Sequence, residues 1–340
     1  MIKAAILGAS GYVGGELLRL LSGHGGIDAV RLFAASNAGH PVAAVHPHLG
    51  LAYAGRSFET YEQGALDDCD VVFAALPHGE TQKLADDFLS SGAKIVDLGA
   101  DFRLETAAEY ETWYKEPHAR PELLGKFVYG LPEVNRAAIA GARLVAAPGC
   151  YPTAATLALR PLVEAGLVSR DGLIIDAASG VSGAGRAAST GTHYCSVEGS
   201  MRAYGLLGHR HTAEMKMMLG GEPLFTPHLV PMSRGILATC YGRATGSGAT
   251  GRGDPMAVLR EAYAGERFVG VTEALPETKW TAGSNAAFVT ARFDERTGMV
   301  VAVAAIDNLG KGAAGQMIQC ANLMLGLDEG AGLSNMGVYP

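Results

Sequence analysis

No apolar run in this chain is long enough to cross a bilayer; the longest aliphatic stretch, Met299 to Ile306, falls far short of a membrane helix. Nor is there a CxxC pair. The five cysteines, Cys69, Cys150, Cys195, Cys240 and Cys320, are odd in number and widely spread, which speaks against a zinc ribbon or a disulfide framework and suits a reducing cytosol. Basic excess is missing too: 27 Lys and Arg face 34 Asp and Glu, giving a net charge of −7 with no block of one sign. That balance excludes nucleic acid and anionic membrane as partners, so any anionic ligand has to be held locally. The N-terminal run Ile2 to Leu7 meets Gly8 too soon for a secretory signal. These absences point to a cytoplasmic protein working on a small molecule. What is present, 340 residues of which 48% are hydrophobic and 18% charged, is an ordinary globular composition with room for two domains.

Ile2 to Leu7 reads as a strand buried on both faces, followed by a helix from Val13 to Leu21 and a strand from Ala29 to Ala35. Val71 to Leu76, a helix over Thr81 to Leu89, Lys94 to Leu98 and Leu144 to Ala147 continue the alternation, which predicts right-handed βαβ units on a parallel sheet. After Cys150 the pattern changes. Leu173 to Ala177, Gly235 to Gly242, Ala287 to Asp294 and Gly298 to Ile306 are strand-like, the last two as a hairpin, and Ala313 to Leu325 closes the chain as a helix. Thr245 to Asp254, rich in Gly and Ser, reads as a surface loop. The fold class expected is α/β: an N-terminal Rossmann-type dinucleotide-binding domain plus an α+β domain with a mostly antiparallel sheet, to which the family resemblance described below assigns catalysis and dimerisation. Expected boundaries are 1–149, completed by the C-terminal helix within 311–340, and 150–310.

Gly8-Ala9-Ser10-Gly11-Tyr12-Val13-Gly14 is a GxxGxxG loop between the first strand and the first helix, where backbone N–H groups at a helix start bind pyrophosphate. The second strand ends in Ala35-Ser36-Asn37 without a carboxylate for the ribose 2′-hydroxyl. Hydroxyl and amide donors there favour NADP(H) over NAD, with Ser36 as a contact. Candidate cofactor residues are therefore Gly8, Ser10, Gly11, Tyr12, Val13, Gly14 and Ser36. Ser182 and Gly183 in the second glycine-rich loop join them, as do Asn308 and Gly310 in the turn before the last helix.

Cys150 lies between Gly149 and Tyr151-Pro152, and Pro152 suits the first position of a helix. A thiol at a helix start has its pKa lowered, which favours a thiolate nucleophile. In Gly208-His209-Arg210-His211-Thr212-Ala213-Glu214, two imidazoles precede a helix that Thr212 is suited to cap, and imidazole is the natural proton carrier near neutrality. Arg103, Arg186 and Arg234 are candidates for binding carboxylate or phosphate. His46-Pro47-His48 has no third ligand nearby, so no metal site is expected.

These segments together resemble the N-acetyl-gamma-glutamyl-phosphate reductase family along nearly the whole chain. The resemblance is carried by Gly8 to Glu16, Leu76 to Gly79, Asp97 to Arg103, Tyr129 to Glu133, Pro148 to Thr153, Ser179 to Arg186, His209 to Glu214, Ser233 to Cys240 and Asp307 to Gln316. It implies NADPH-dependent reduction of N-acetyl-L-glutamyl 5-phosphate to the 5-semialdehyde with release of phosphate, in arginine biosynthesis, by a homo-oligomer, dimer or tetramer. By position in the matching segment, the acid–base histidine falls on His209, with His211 as the fallback. On the substrate side the expected residues are Arg103, Arg186, His211 and Glu214. Competing readings are aspartate-semialdehyde dehydrogenase, a reductase of carrier-linked aminoadipyl phosphate, a non-catalytic NADP-binding redox sensor and a cysteine hydrolase.

Overall fold

A computed structural model describes residues 1–246 and 253–340. The chain divides into two compact units, the first made of Met1–Pro148 with Ala313–Leu333, the second of Gly149–Gly312 with Ser334–Pro340. Ser334–Pro340 thus packs with the second unit, whereas the sequence analysis grouped it with the last helix. Of the expected loop from Thr245 to Asp254, residues 247–252 lie outside the described residues. Asp254 itself caps the Pro255–Ala262 helix, its carboxylate accepting the Met256 N–H at 2.9 Å.

In the first unit, β1 (Ile2–Leu7), β2 (Ile27–Phe33), β3 (Val71–Ala74), β4 (Lys94–Asp97), β5 (Val128–Tyr129) and β6 (Leu144–Ala146) form one sheet. Its order is β2-β1-β3-β4-β6-β5 and every pair is parallel. Parallel strands are covered on both faces, which is why they are continuous apolar runs such as Val71–Ala74, all buried. The strand order reverses between β1 and β3, so the crevice at their carboxyl ends is the natural ligand site of such a sheet. Into this unit packs the closing helix, Gly315–Leu325, with Met317, Ile318, Ala321 and Met324 in the same apolar core as Ala4, Ile6 and Leu17. A one-turn π segment, Gly310–Ala314, precedes it.

The second unit holds β7 (Ile174–Gly180), β8 (Arg202–Ala203), β9 (Leu224–Val230), β10 (Ile236–Arg243), β11 (Val269–Val271), β12 (Ala287–Asp294) and β13 (Met299–Ile306). The order is β11-β12-β13-β10-β7-β9-β8. Four of its pairings are antiparallel, and β7–β9 and β11–β12 are parallel. Alternation sets the register: in β10, Ile236, Ala238 and Cys240 are buried while Leu237, Thr239 and Tyr241 are less so. The buried row meets the Cys150–Glu164 helix, whose Ala154, Ala155 and Ala158 let its backbone approach a sheet face of Ala238, Ala291, Ala302 and Ala304. Leu157, Leu159 and Leu162 fill the remaining volume, each worth about 1.5–3 kcal/mol on burial. Pro161 inside this helix has no N–H for the Leu157 carbonyl. The Tyr263 hydroxyl donates to that carbonyl instead, at 2.6 Å.

Among the described residues, no helix is long and apolar enough to cross a membrane.

Candidate active site

Cys150 is the first residue of its helix, so Pro152 stands two places further in than the sequence suggested. The reason is a partner remote in sequence. Gly149, the N-cap, has its N–H held by the Glu214 carboxylate at 2.9 Å, while its carbonyl accepts the Thr153 N–H and hydroxyl, each at 3.0 Å. The turn into the helix is thereby fixed one residue before the sulfur. No side chain caps the helix and its first turn carries no acid, which leaves the positive end of the helix dipole facing the thiol. Cys150 itself is half-buried.

Two glycines give the cysteine its surroundings. A Cβ on Gly149 would stand 2.5 Å from Nε2 of His211, so that imidazole lies directly on the backbone beside Cys150. On Gly312, a Cβ would stand 2.8 Å from Cβ of Cys150. Gly312 is tied into its turn by its N–H, which donates to the Asp307 carbonyl at 2.9 Å. Asp307, wholly buried, binds Arg234 Nε at 2.9 Å and the N–H groups of Gly283 (2.6 Å), Leu309 (2.8 Å) and Gly310 (3.1 Å). Arg234 is thus engaged by a carboxylate of the fold. Next to it, Asn308 accepts the Gly235 N–H at 2.7 Å and donates to the Ser182 hydroxyl at 2.9 Å. Gly183 lies beside the same amide, so the structure gathers Ser182, Gly183 and Asn308 in one place. Gly310 is packed on the Ser284 carbonyl, which leaves no room for a side chain.

His209 and His211 face each other, ring centroids 4.8 Å apart, and His209 also packs on Tyr151, Tyr204 and Phe225. The helix that follows starts at His211 with Arg210 as N-cap, so Thr212 is its second residue and not the cap. Nδ1 of His209 accepts the His211 backbone N–H at 3.2 Å, which places the proton of the neutral ring on Nε2. Loss of water around the ring, and then the Arg210 cation, push the His209 pKa down to about 4. A dianionic acyl phosphate brought beside this ring would raise that value again. Tyr204, pushed up to about 12 by burial, donates to the Tyr151 hydroxyl at 3.2 Å, which donates to the His228 carbonyl at 3.0 Å. Sequence reasoning gave no signal for Tyr204, because nothing local marks it.

The cofactor loop belongs to the first unit. Gly8 has φ +81°, and a Cβ there would stand 2.3 Å from the Ala75 carbonyl; on Gly14 it would stand 2.4 Å from the Gly8 carbonyl. Gly11 is different: a Cβ would meet only the Gly8 carbonyl, at 3.4 Å, so the space before it is open. Two glycines that close the turn and one that leaves an approach fit a dinucleotide pyrophosphate. The Tyr12–Leu21 helix has no side-chain cap and no acid in its first turn, which suits an anion at the N–H groups of Tyr12, Val13 and Gly14. At the end of β2, Asn37 donates to the Ser10 hydroxyl at 3.2 Å. It ties the Ser36-Asn37 turn to the loop, and its place in the quoted segment was the signal for it.

Arg103 is buried in the first unit, donating to the Leu98 carbonyl at 2.6 Å, and Arg186 is exposed just past the one-turn helix Val181–Ala184. Glu214, expected on the substrate side, is wholly buried on the Gly149 N–H and acts on the nucleophile's turn.

Comparison with known proteins agrees with this division. The semialdehyde dehydrogenase NAD binding domain matches residues 3–142, and the semialdehyde dehydrogenase dimerisation domain matches residues 150–308. N-acetyl-gamma-glutamyl-phosphate reductase of Ectopseudomonas mendocina is 46% identical over 348 residues, covering 100% of both chains. The chain belongs to the N-acetyl-gamma-glutamyl-phosphate reductase family. The family's enzyme from Symbiobacterium thermophilum is 48% identical over 351 residues, covering 100% of this chain and 99% of that one. Among solved structures, aspartate semialdehyde dehydrogenase II from Vibrio cholerae superposes with a TM-score of 0.72 at 18% identity, covering 96% of this chain and 98% of that one. The reductase family thus shares its two-unit fold with the semialdehyde dehydrogenases. A further likeness, with a TM-score of 0.66 at 18% identity, is aspartate semialdehyde dehydrogenase with NADP from Candida albicans, covering 96% and 99%.

Proposed function

We propose that this chain reduces N-acetyl-L-glutamyl 5-phosphate to N-acetyl-L-glutamate 5-semialdehyde with NADPH, releasing phosphate, through a thioester on Cys150. The reading is carried by the setting of that one cysteine, at an uncapped helix start between two close-packed glycines and beside paired imidazoles. Its thiolate attacks the acyl carbon, and the carbon–oxygen bond to phosphate breaks with its electron pair leaving on phosphate. A thioester keeps that carbonyl electrophilic and anchored where an acyl phosphate would be open to hydrolysis. Reduced nicotinamide, when bound, supplies two electrons and a proton as hydride. Hydride addition leaves a thiohemiacetal oxyanion on Cys150, which takes the proton of His209 Nε2 and returns it as the carbon–sulfur bond breaks, so that thiolate and aldehyde are released. His209 is the acid–base group. Its Nε2–H is a hydrogen-bond donor to oxygen in the resting enzyme, and substrate charge brings its pKa back toward the range where it exchanges protons. Glu214 and Gly149 hold the turn, and His211 packs against it.

Gly11, Tyr12, Val13 and Gly14 would hold the pyrophosphate, with Ser10, Ser36 and Asn37 toward the 2′-phosphate. The lack of a carboxylate after β2 favours NADP over NAD. Assembly as a dimer or tetramer belongs to the same proposal and rests on the dimerisation domain match. So does a cytoplasmic location, which the free cysteines suit. The reverse reaction tests the whole: N-acetylglutamate semialdehyde and phosphate with NADP+ should yield NADPH, more slowly with NAD+. Aspartate semialdehyde should be the poorer substrate. Cys150→Ser should keep NADPH binding and lose nearly all turnover. A serine variant with near-normal rate, or NADPH formation that ignores phosphate, overturns the reading.

A further inference from the structure

We propose that His46 is a positioning residue for the dinucleotide loop, orienting the peptide from which the loop offers its Ser10 N–H. The inference rests on the NADP(H) reading above. His46 is 4% exposed, and its Nε2 lies 3.0 Å from the carbonyl oxygen of Ala9, the second residue of the glycine loop. A carbonyl only accepts, so Nε2 carries the proton and donates. A trans peptide points its C=O and the following N–H in opposite directions. Anchoring the Ala9 carbonyl to the buried imidazole therefore turns the Ser10 N–H to the opposite side of the peptide plane.

Two neighbouring carbonyls are engaged within the loop and helix: the Gly8 carbonyl accepts the Gly11 N–H at 3.0 Å, and the Gly11 carbonyl accepts the Gly15 N–H at 2.9 Å. The Ala9 carbonyl is held from outside the loop, by a residue 37 positions on. His46 is well suited to the task. Its backbone N–H donates to the Val42 carbonyl at 2.7 Å and its carbonyl accepts the Leu49 N–H at 2.9 Å, and Pro47 restricts it further. Phe58 and His48 flank the ring edge-on, each with centroids 6.0 Å away. On the far side lies Gly15, where a Cβ would stand 2.6 Å from Cε1 and 2.8 Å from Nδ1 of the imidazole. Gly15 lies within a helix, where alanine would otherwise be preferred. Its glycine makes room for His46.

The test is NADPH affinity, measured by fluorescence titration without substrate, with 2′-AMP as a competing ligand that lacks the pyrophosphate. For His46→Ala the dissociation constant for NADPH should rise tenfold or more while that for 2′-AMP changes less than threefold. His46→Gln, which restores an N–H donor, should recover most of the loss. Gly15→Ala should weaken NADPH as His46→Ala does, and the double variant should be no weaker than either single one. At saturating NADPH, kcat should stay within about threefold. Equal weakening of both ligands in His46→Ala, no rescue by glutamine, or additive losses in the double variant overturn the inference. If His46→Ala does not fold, the glutamine and Gly15→Ala variants decide in the same way. A wild-type protein that fails to bind NADPH overturns the cofactor reading, and this inference with it; normal wild-type binding with unchanged affinity in the variants overturns this inference alone.

Discussion

Alanine at Gly312 presses one methyl group against the β-carbon of Cys150. The new carbon would stand 2.8 Å from Cβ of Cys150 and 3.3 Å from its Cα. Carbon atoms in contact rest about 3.5–4.0 Å apart, so the two segments have to part by roughly 0.7 Å. Neither side yields easily. The cysteine β-carbon is one bond from a helix backbone pinned through Gly149, and Gly312 is tied to Asp307, which four further bonds hold in place. Overpacking of this kind costs about 1–3 kcal/mol. Taken up as a shift of the thiol, a displacement of that size lowers kcat/KM by on the order of 10- to 100-fold. Two assays separate the causes: the phosphate-dependent reverse reaction, and the rate of Cys150 alkylation by iodoacetamide. Both should fall together in Gly312→Ala, as a moved thiol requires. Normal turnover and normal alkylation in a folded Gly312→Ala protein would refute the packing argument.

Asp97, wholly buried with its Oδ1 accepting the Gly99 N–H (2.7 Å) and the Thr81 hydroxyl (3.0 Å), has its pKa pushed up to about 7, first by burial and then by Asp101. The folded state keeps that proton from the unfolded value, near 3.8, up to about 7, so this carboxyl makes stability fall as pH rises across the window. Urea unfolding of Asp97→Asn should gain on wild type by up to about 4 kcal/mol between pH 4 and pH 8, and a gap independent of pH would refute the assignment. His209 has the opposite sign: its folded pKa is lowered from 6.5 to about 4, so its contribution is present above 6.5 and is lost as pH falls through that interval. His209→Gln should therefore lose less stability than wild type between pH 6.5 and pH 4, while turnover drops on the order of 100-fold; equal acid sensitivity would count against the buried neutral ring. Glu214→Ala leaves the buried Gly149 N–H without its acceptor and should cost about 1–3 kcal/mol in thermal or urea unfolding, with Glu214→Gln much milder. An alanine variant as stable as wild type would show that the turn stands without it.

Where burial on both faces makes a strand a continuous apolar run, as in Ala4 to Leu7 of β1 and in Val71–Ala74, the sequence is legible without help. It fails where a remote partner decides. Thr81 to Leu89 reads as one helix but divides into a 3-10 turn, Thr81–Leu84, and a helix, Ala85–Ser90. The Thr81 hydroxyl is drawn to Asp97 and the Gln82 N–H to Asp101 at 3.0 Å, both near the end of β4. Pro227 hides β9, since proline is a poor strand signal, and the strand survives beside the two-residue β8 near the edge of the sheet. Within the site, Cys150 and the glycine loop announce themselves by neighbours in sequence. Glu214 under Gly149 and Gly312 against Cys150 are contacts across long stretches of chain, and no local pattern encodes them.

The order of synthesis and the order of assembly differ in this molecule. The core around Ala4, Ile6 and Leu17 lacks Met317, Ile318 and Ala321 until nearly the whole polypeptide has emerged, because Gly149–Gly312, the bulk of the second unit, is spelled out in between. A nascent N-terminal half therefore waits with an apolar flank bare, and the ribosome must make most of the second unit before the first can be sealed.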